Sequence, residues 1–291
     1  MSPAPAPRLR VGRIGYINCY PVYGGIDAGV VPLDAELVTG VPSALNARMA
    51  AGTLDVSVVS AMEYARDAER YLLLPDLAIS CDGPVRSVLL FSTRDPRELG
   101  GARVLVTRSS MTSVALLELL FERRWGCAPV FVPSDAESGD LARMAAEPHD
   151  ARLVIGDAAL LLAAATEDPA SPWHRRYPHC VDLGAEWKAW TGLPFVFAVW
   201  VAQRTTPVPA ALAAHASLIA SRDWGVRNLG RLAAQASLAT GVSRERCTDY
   251  FANLDWRLSY PHLAGLTAFF GRLAETGRVP DATSLAFLPA A

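Results

Sequence analysis

The residues of this 291-residue chain best placed to do chemistry are mostly small, polar and uncharged. Asn18 lies in the run VGRIGYINCYPVYGG, Val11 to Gly25, where an apolar strand-like start meets a polar turn with glycines on either side. Ser60 closes the apolar run after Asp55, Ser87 follows Gly83 and Pro84, and Asp157 follows Ile155 and Gly156. Ser109, Ser110, Thr112 and Ser113 put four hydroxyls into five residues. Hydroxyl, amide and backbone donors at helix amino ends suit a ligand bearing carboxylates and hydroxyls, because unpaired N–H groups and the helix dipole favour negative charge there.

Each residue also has a structural reading. Asn18 and Asp157 stand where a helix N-cap is expected, and Ser60 with Glu63 forms an S-x-x-E capping box. Four hydroxyls between 109 and 113 exceed what one cap requires, which leaves a carboxylate seat at that helix start as the preferred reading. Ser87 begins a buried strand, so its hydroxyl faces either core or cleft. Gly156 would let a ligand approach the backbone closely. Asp157 is a candidate acid or base. Asn18 is neutral and cannot act as a base, but it can donate to and accept from a hydroxyl or an ether oxygen.

Other chemistries lack their signatures. The histidines, His149, His174, His179, His215 and His262, show no metal-ligand spacing, and no Rossmann, P-loop or nucleophile-elbow motif occurs. The expectation is therefore no cofactor and no metal. Five cysteines without a CxxC pair argue against a disulfide framework or a zinc site. A net charge of -2 with scattered basic residues disfavours nucleic acid as a partner. The start MSPAPAPRLR has no apolar run for a signal peptide and no later segment reaches the length of a membrane span, so a cytoplasmic chain is expected. Trp187, Trp190, Phe195 and Phe197 read as core and hinge packing, with one of them available to wall a pocket.

The elements that must position these residues alternate, which favours a parallel α/β arrangement. Strands are expected over Val11 to Tyr16, Ala35 to Thr39, Asp55 to Val59, Ser87 to Ser92, Arg103 to Thr107, Val130 to Val132, Arg152 to Ile155 and Phe195 to Val201. Pro42 to Ala50 and Thr112 to Trp125 read as helices, the second ended by Gly126, and a further helix is expected over Asp140 to Ala146. From Pro209 onward the pattern is helical. At 291 residues, with 51% hydrophobic and 19% charged, the chain suits two lobes. The expected division is residues 1–92 with 199–291 as one lobe and 93–198 as the other, with crossings near Ser92 and Ala198 and a ligand cleft between them.

The run around Asn18 and the later segments GVPSALNARMAAGTLDVSVVSAMEYA, CDGPVRSVLLFS, LVTRSSMTSVALLELL, VIGDAAL and DLGAEWKAWTGLPFVFAVWV occur in order. Together they resemble the chorismate dehydratases of the futalosine route to menaquinone, from about Val11 to Phe270. The resemblance implies a two-lobed fold like that of type II periplasmic binding proteins, with a helical C-terminal part. It implies a lyase that removes water from chorismate to give 3-[(1-carboxyvinyl)oxy]benzoate. It places Asn18, Ser87, Ser109, Thr112, Gly156 and Asp157 around the substrate; Ser60, Ser110 and Ser113 are the further binding candidates that the reading of the residues offers. Asn18 and Asp157 are then the catalytic candidates, and the base is either a substrate carboxylate or Asp157. Cys19-Tyr20 departs from the family pattern, in which an aliphatic residue is more common, and could alter the pocket wall. A sister enzyme making 1,4-dihydroxy-6-naphthoate shares the fold but opens closer to Ser-Pro-Cys-Pro-Asn-Asp. The rival of another class is a small-anion binding protein or sensor without catalysis.

Overall fold

The computed structural model describes residues 8–134, 146–281 and 283–289. The helix expected over Asp140 to Ala146 falls, but for its last residue, outside them, as does the proline-alanine start. Two five-stranded sheets carry the chain. In the first, β1 (Leu9–Ile14) lies between β2 (Ala35–Gly40) and β3 (Val56–Ser60), parallel to both. Beyond β3 come β10 (Phe195–Gln203) and then β4 (Tyr71–Cys81). The second sheet runs β7 (Val130–Ser134), β6 (Arg103–Thr107), β8 (Ala151–Ile155), β5 (Val88–Ser92) and β9 (His179–Asp182).

The sheets are mixed rather than purely parallel. β10 is antiparallel to β3 and β4, and β5 is antiparallel to β8 and β9. Both are the strands by which the chain arrives from the other sheet, so a strand entering from the opposite side runs against its neighbours. The crossings therefore fall earlier than expected. Val88–Ser92 pairs within the second sheet and Phe195–Ala198 within the first, so the chain changes sheets after Cys81 and again after Asp182. Uniform burial hid this, because both strands are buried throughout and read alike from sequence.

Five of the helix starts that follow strand ends meet between the two sheets. They belong to α1 (Tyr20–Asp27), α2 (Pro42–Ala50), α3 (Ala61–Arg66), α4 (Met111–Leu120) and α5 (Gly156–Glu167). Proline in the first turn of α1 and α2 fits, since its missing N–H has no intrahelical partner there. α4 continues as a wider turn, Phe121–Trp125, and stops at Gly126, whose φ of 68° is left-handed. α6 (Pro172–Arg176) and α7 (Leu183–Thr191) complete the second lobe's connections.

The C-terminal part is helical as expected: α8 (Val208–Arg227), α9 (Leu229–Thr240), α10 (Arg244–Asn253) and α11 (Tyr260–Glu275). α8 crosses α1 at backbone distance. A Cβ on Gly225 would meet the Pro21 carbonyl oxygen, and Ser221 Oγ accepts from the N–H groups of Gly25 and Ile26. The Gly24-Gly25 pair that read as part of a polar turn thus lies inside α1 and serves helix packing. No helix among the described residues is long and apolar enough to cross a membrane.

Candidate functional site

The five helix starts converge on one cleft between the sheets, about 530 Å³ of empty space with its open mouth included. Asn18 lines it just ahead of α1, Pro42 opens α2, Ser60 caps α3, Ser110 and Ser113 begin α4, and Gly156 opens α5. Among the described residues no ionised side chain stands on this wall. The positive field comes instead from helix amino ends, each equivalent to roughly half a charge and adding about 0.3–1 kcal/mol toward a nearby anion. Ile14, Ile79, Val85, Val88, Ile155 and Phe197 supply an apolar surface suited to a ring.

Asn18 makes no cap. Neither the short helical turn Ile17–Cys19 nor α1 receives a side-chain cap bond, and the Asn18 Oδ1 is buried without a hydrogen-bond partner. Its backbone is fixed, because Trp256 Nε1 donates to the Asn18 carbonyl at 2.7 Å. A buried acceptor with nothing to accept is costly unless a ligand donor completes it, by about 1–3 kcal/mol. Cys19 faces the core and does not reach the pocket wall, and burial pushes its thiol up to about 12. The departure at Cys19 thus leaves the wall unchanged.

The hydroxyls divide by role. Ser60 caps α3 by accepting from the Glu63 N–H at 3.1 Å and from Asn46 Nδ2 at 3.0 Å. Only half of the expected capping box forms, since Glu63 instead accepts from the Tyr71 hydroxyl. Ser110 caps α4 at the Ser113 N–H and also donates to Ser113 Oγ at 2.9 Å, and both side chains stay on the wall. Ser109 and Thr112 are not on the wall. The Ser109 carbonyl accepts from the Ser43 N–H at 3.2 Å, and Thr112 Oγ1 accepts from the Met62 N–H at 3.1 Å. The four residues therefore divide: Ser110 and Ser113 line the cleft, while Ser109 through its backbone carbonyl and Thr112 through its hydroxyl tie the lobes together.

Asp157 is not an N-cap either. Its Oδ1 reaches across the cleft to accept from the Ile17 N–H at 3.2 Å. Burial raises its carboxyl to about 6, with the Ile17 bond acting in the opposite direction. The carboxyl is off the wall, whereas its neighbour Gly156 lies on it at φ 63°. A Cβ at Gly156 would stand 3.1 Å from the Tyr16 ring, so glycine serves both the left-handed backbone and the close approach of that ring. Ser87 is buried on the wall, its Oγ accepting from the Tyr250 hydroxyl at 2.8 Å.

Tyr16, Asn46 and Tyr250 escaped the sequence reading. Tyr16 was legible, two residues before Asn18 at a strand end. Asn46 and Tyr250 gave no signal, because one sits inside a helix and the other 163 residues from its partner. Among the four aromatics considered, Phe197 is the pocket wall. Trp187 and Phe195 pack in the core.

A family model described as menaquinone biosynthesis matches residues 9–275. A chorismate dehydratase of Thermus thermophilus is 35% identical over 240 residues, covering 80% of this chain and 85% of that one. Among solved structures, protein AF1704 from Archaeoglobus fulgidus superposes with a TM-score of 0.75 at 19% identity, covering 93% of this chain and 98% of that one. The periplasmic aliphatic sulphonate binding protein of Escherichia coli superposes with a TM-score of 0.64 at 13% identity, covering 98% and 94%. These likenesses establish the fold as that of the periplasmic binding proteins.

Proposed function

Since the chain belongs to the menaquinone biosynthesis family, we propose that it is a chorismate dehydratase, a hydro-lyase that forms 3-[(1-carboxyvinyl)oxy]benzoate and water. The observation that carries this reading is the unpartnered Asn18 Oδ1, buried on the wall of a cleft ringed by helix starts. Chorismate brings two carboxylates for the helix starts, a ring for the apolar wall and a hydroxyl to donate to Asn18. The proton leaves the ring carbon bearing the enolpyruvyl ether, the hydroxyl departs from the adjacent carbon, and the ring becomes aromatic.

Aromatisation makes the step downhill, so the protein has to position the dianion, stabilise charge spreading into the ring carboxylate and assist the departing hydroxyl. Asn18 would accept from the hydroxyl through Oδ1 and support the departing oxygen through its NH₂ donors. Ser87 and Ser113 would supply hydroxyl donors to the carboxylates, with Ser110 donating its own proton to Ser113 Oγ. A substrate carboxylate would take the proton: among the described residues no carboxylate, histidine or lysine lies on the wall, and the Asp157 carboxyl is turned to the Ile17 amide.

Incubating the purified chain with chorismate in a strong chelator, followed by mass analysis, tests the proposal. Product lighter by one water, formed at a rate proportional to enzyme, is expected. Bound but unaltered chorismate would instead make the chain a binding protein, and activity restored only by a divalent ion would overturn the metal-free chemistry.

A further inference from the structure

Ser87 is pinned everywhere except at its own side-chain torsion. Its carbonyl accepts from the Gly156 N–H at 2.8 Å, and the two residues before it, Val85 and Arg86, donate their N–H groups to the Asp182 carboxylate at 3.0 and 2.6 Å. The remaining freedom is the choice among three staggered rotamers of the hydroxyl arm. That choice is made from the C-terminal helices. Tyr250 on α10, 1% exposed, donates its hydroxyl to Ser87 Oγ at 2.8 Å, and Ser87 is itself 3% exposed. α10 is held beside this turn by the ion pair of Asp249 with Arg86.

We propose that Tyr250 is a positioning residue for the reaction, fixing Ser87 so that the serine proton points to the substrate. The inference rests on the dehydratase reading. Each hydroxyl has one proton. Tyr250 spends its own on Ser87 Oγ, so the serine oxygen is already an acceptor and its proton is left for the cleft that Ser87 lines. Burial raises the Tyr250 phenol well above its ordinary range, so it remains a donor at every working pH. Donation by Tyr250 also polarises the serine O–H and strengthens the bond it gives to an anion.

Tyr250→Phe keeps the ring and removes only the donor. Without it the serine arm can sample three wells and loses its polarisation, so kcat should fall about 3- to 10-fold with KM and melting temperature little changed. In a Ser87→Ala background the same change should alter kcat less than about twofold, because Tyr250 would have no arm to aim. Wild-type kcat in Tyr250→Phe, or an equal loss in both backgrounds, would overturn the inference and leave Tyr250 as packing. A wild-type chain that does not dehydrate chorismate would overturn the functional reading and this inference with it, and that is measured before any variant is compared.

Discussion

Asp157 combines a raised proton affinity with a bond to the opposite lobe, and the two suggest different roles. A carboxyl raised to about 6 has the basicity of a catalytic base, yet its Oδ1 holds the Ile17 N–H and its side chain is off the pocket wall. If Asp157 is a tie between lobes, Asp157→Asn should keep turnover within about threefold, because the amide oxygen can accept the same bond; a base would lose orders of magnitude. Its pH signature has a definite sign. The folded-state value lies above the ordinary 3.8, so ionisation costs stability: the cost is absent at pH values below the unfolded value and complete above about 6. The melting temperature of Asp157→Asn relative to wild type should therefore rise between pH 4 and pH 7. A flat difference would show that burial does not perturb this group. Ser110 has both roles, cap and wall, so Ser110→Ala should cost about 1 kcal/mol of stability and also raise KM. Unchanged KM on steady-state measurement would reduce it to a cap.

At the scale of elements, the helix starts were legible where composition marks them. Pro42 opens α2 as expected, Ser60 caps α3, and Gly126 stops the α4 segment. The destinations of side chains were not legible, because they depend on what the other lobe brings. Thr112 looks like one more hydroxyl at a helix start, yet its Oγ1 accepts from Met62 of α3. Thr112→Val preserves shape and removes that acceptor, leaving a buried N–H unpaired, so a loss of about 1–3 kcal/mol is expected in denaturant unfolding with kcat largely kept. A stable variant with raised KM would return Thr112 to the substrate seat. β4 and the antiparallel entry of β10 were missed for a related reason: pairing partners are set by topology, and an apolar run looks the same in either sheet.

Across the whole molecule, the cleft is closed by bonds between lobes that use helix-start amides as donors. Ile17, Ser43 and Met62 on one side donate to Asp157, Ser109 and Thr112 on the other. Two-lobed folds of this kind close about a hinge, and a dianion seated among the same helix starts would favour closure. Hydrogen exchange at these three amides should slow when chorismate or its product is bound; faster exchange would mean that the ligand opens the lobes. The two-lobed plan and its helical end followed from the order of the motifs. The sheet crossings did not: Asp82-Gly83-Pro84 and Gly192-Leu193-Pro194 mark turns, but nothing in the buried strands that follow, Val88–Ser92 and Phe195–Gln203, says to which sheet they belong. In the proposed reaction the orphaned Asn18 oxygen meets the leaving hydroxyl in the transition state. Turnover and melting of Asn18→Ala and Asn18→Asp, measured side by side with wild type, test it most directly. Turnover down roughly 10² to 10³ in Asn18→Ala with melting little changed is expected, and a slow Asn18→Asp because its charge repels the dianion. Near-normal turnover in Asn18→Asp would contradict it.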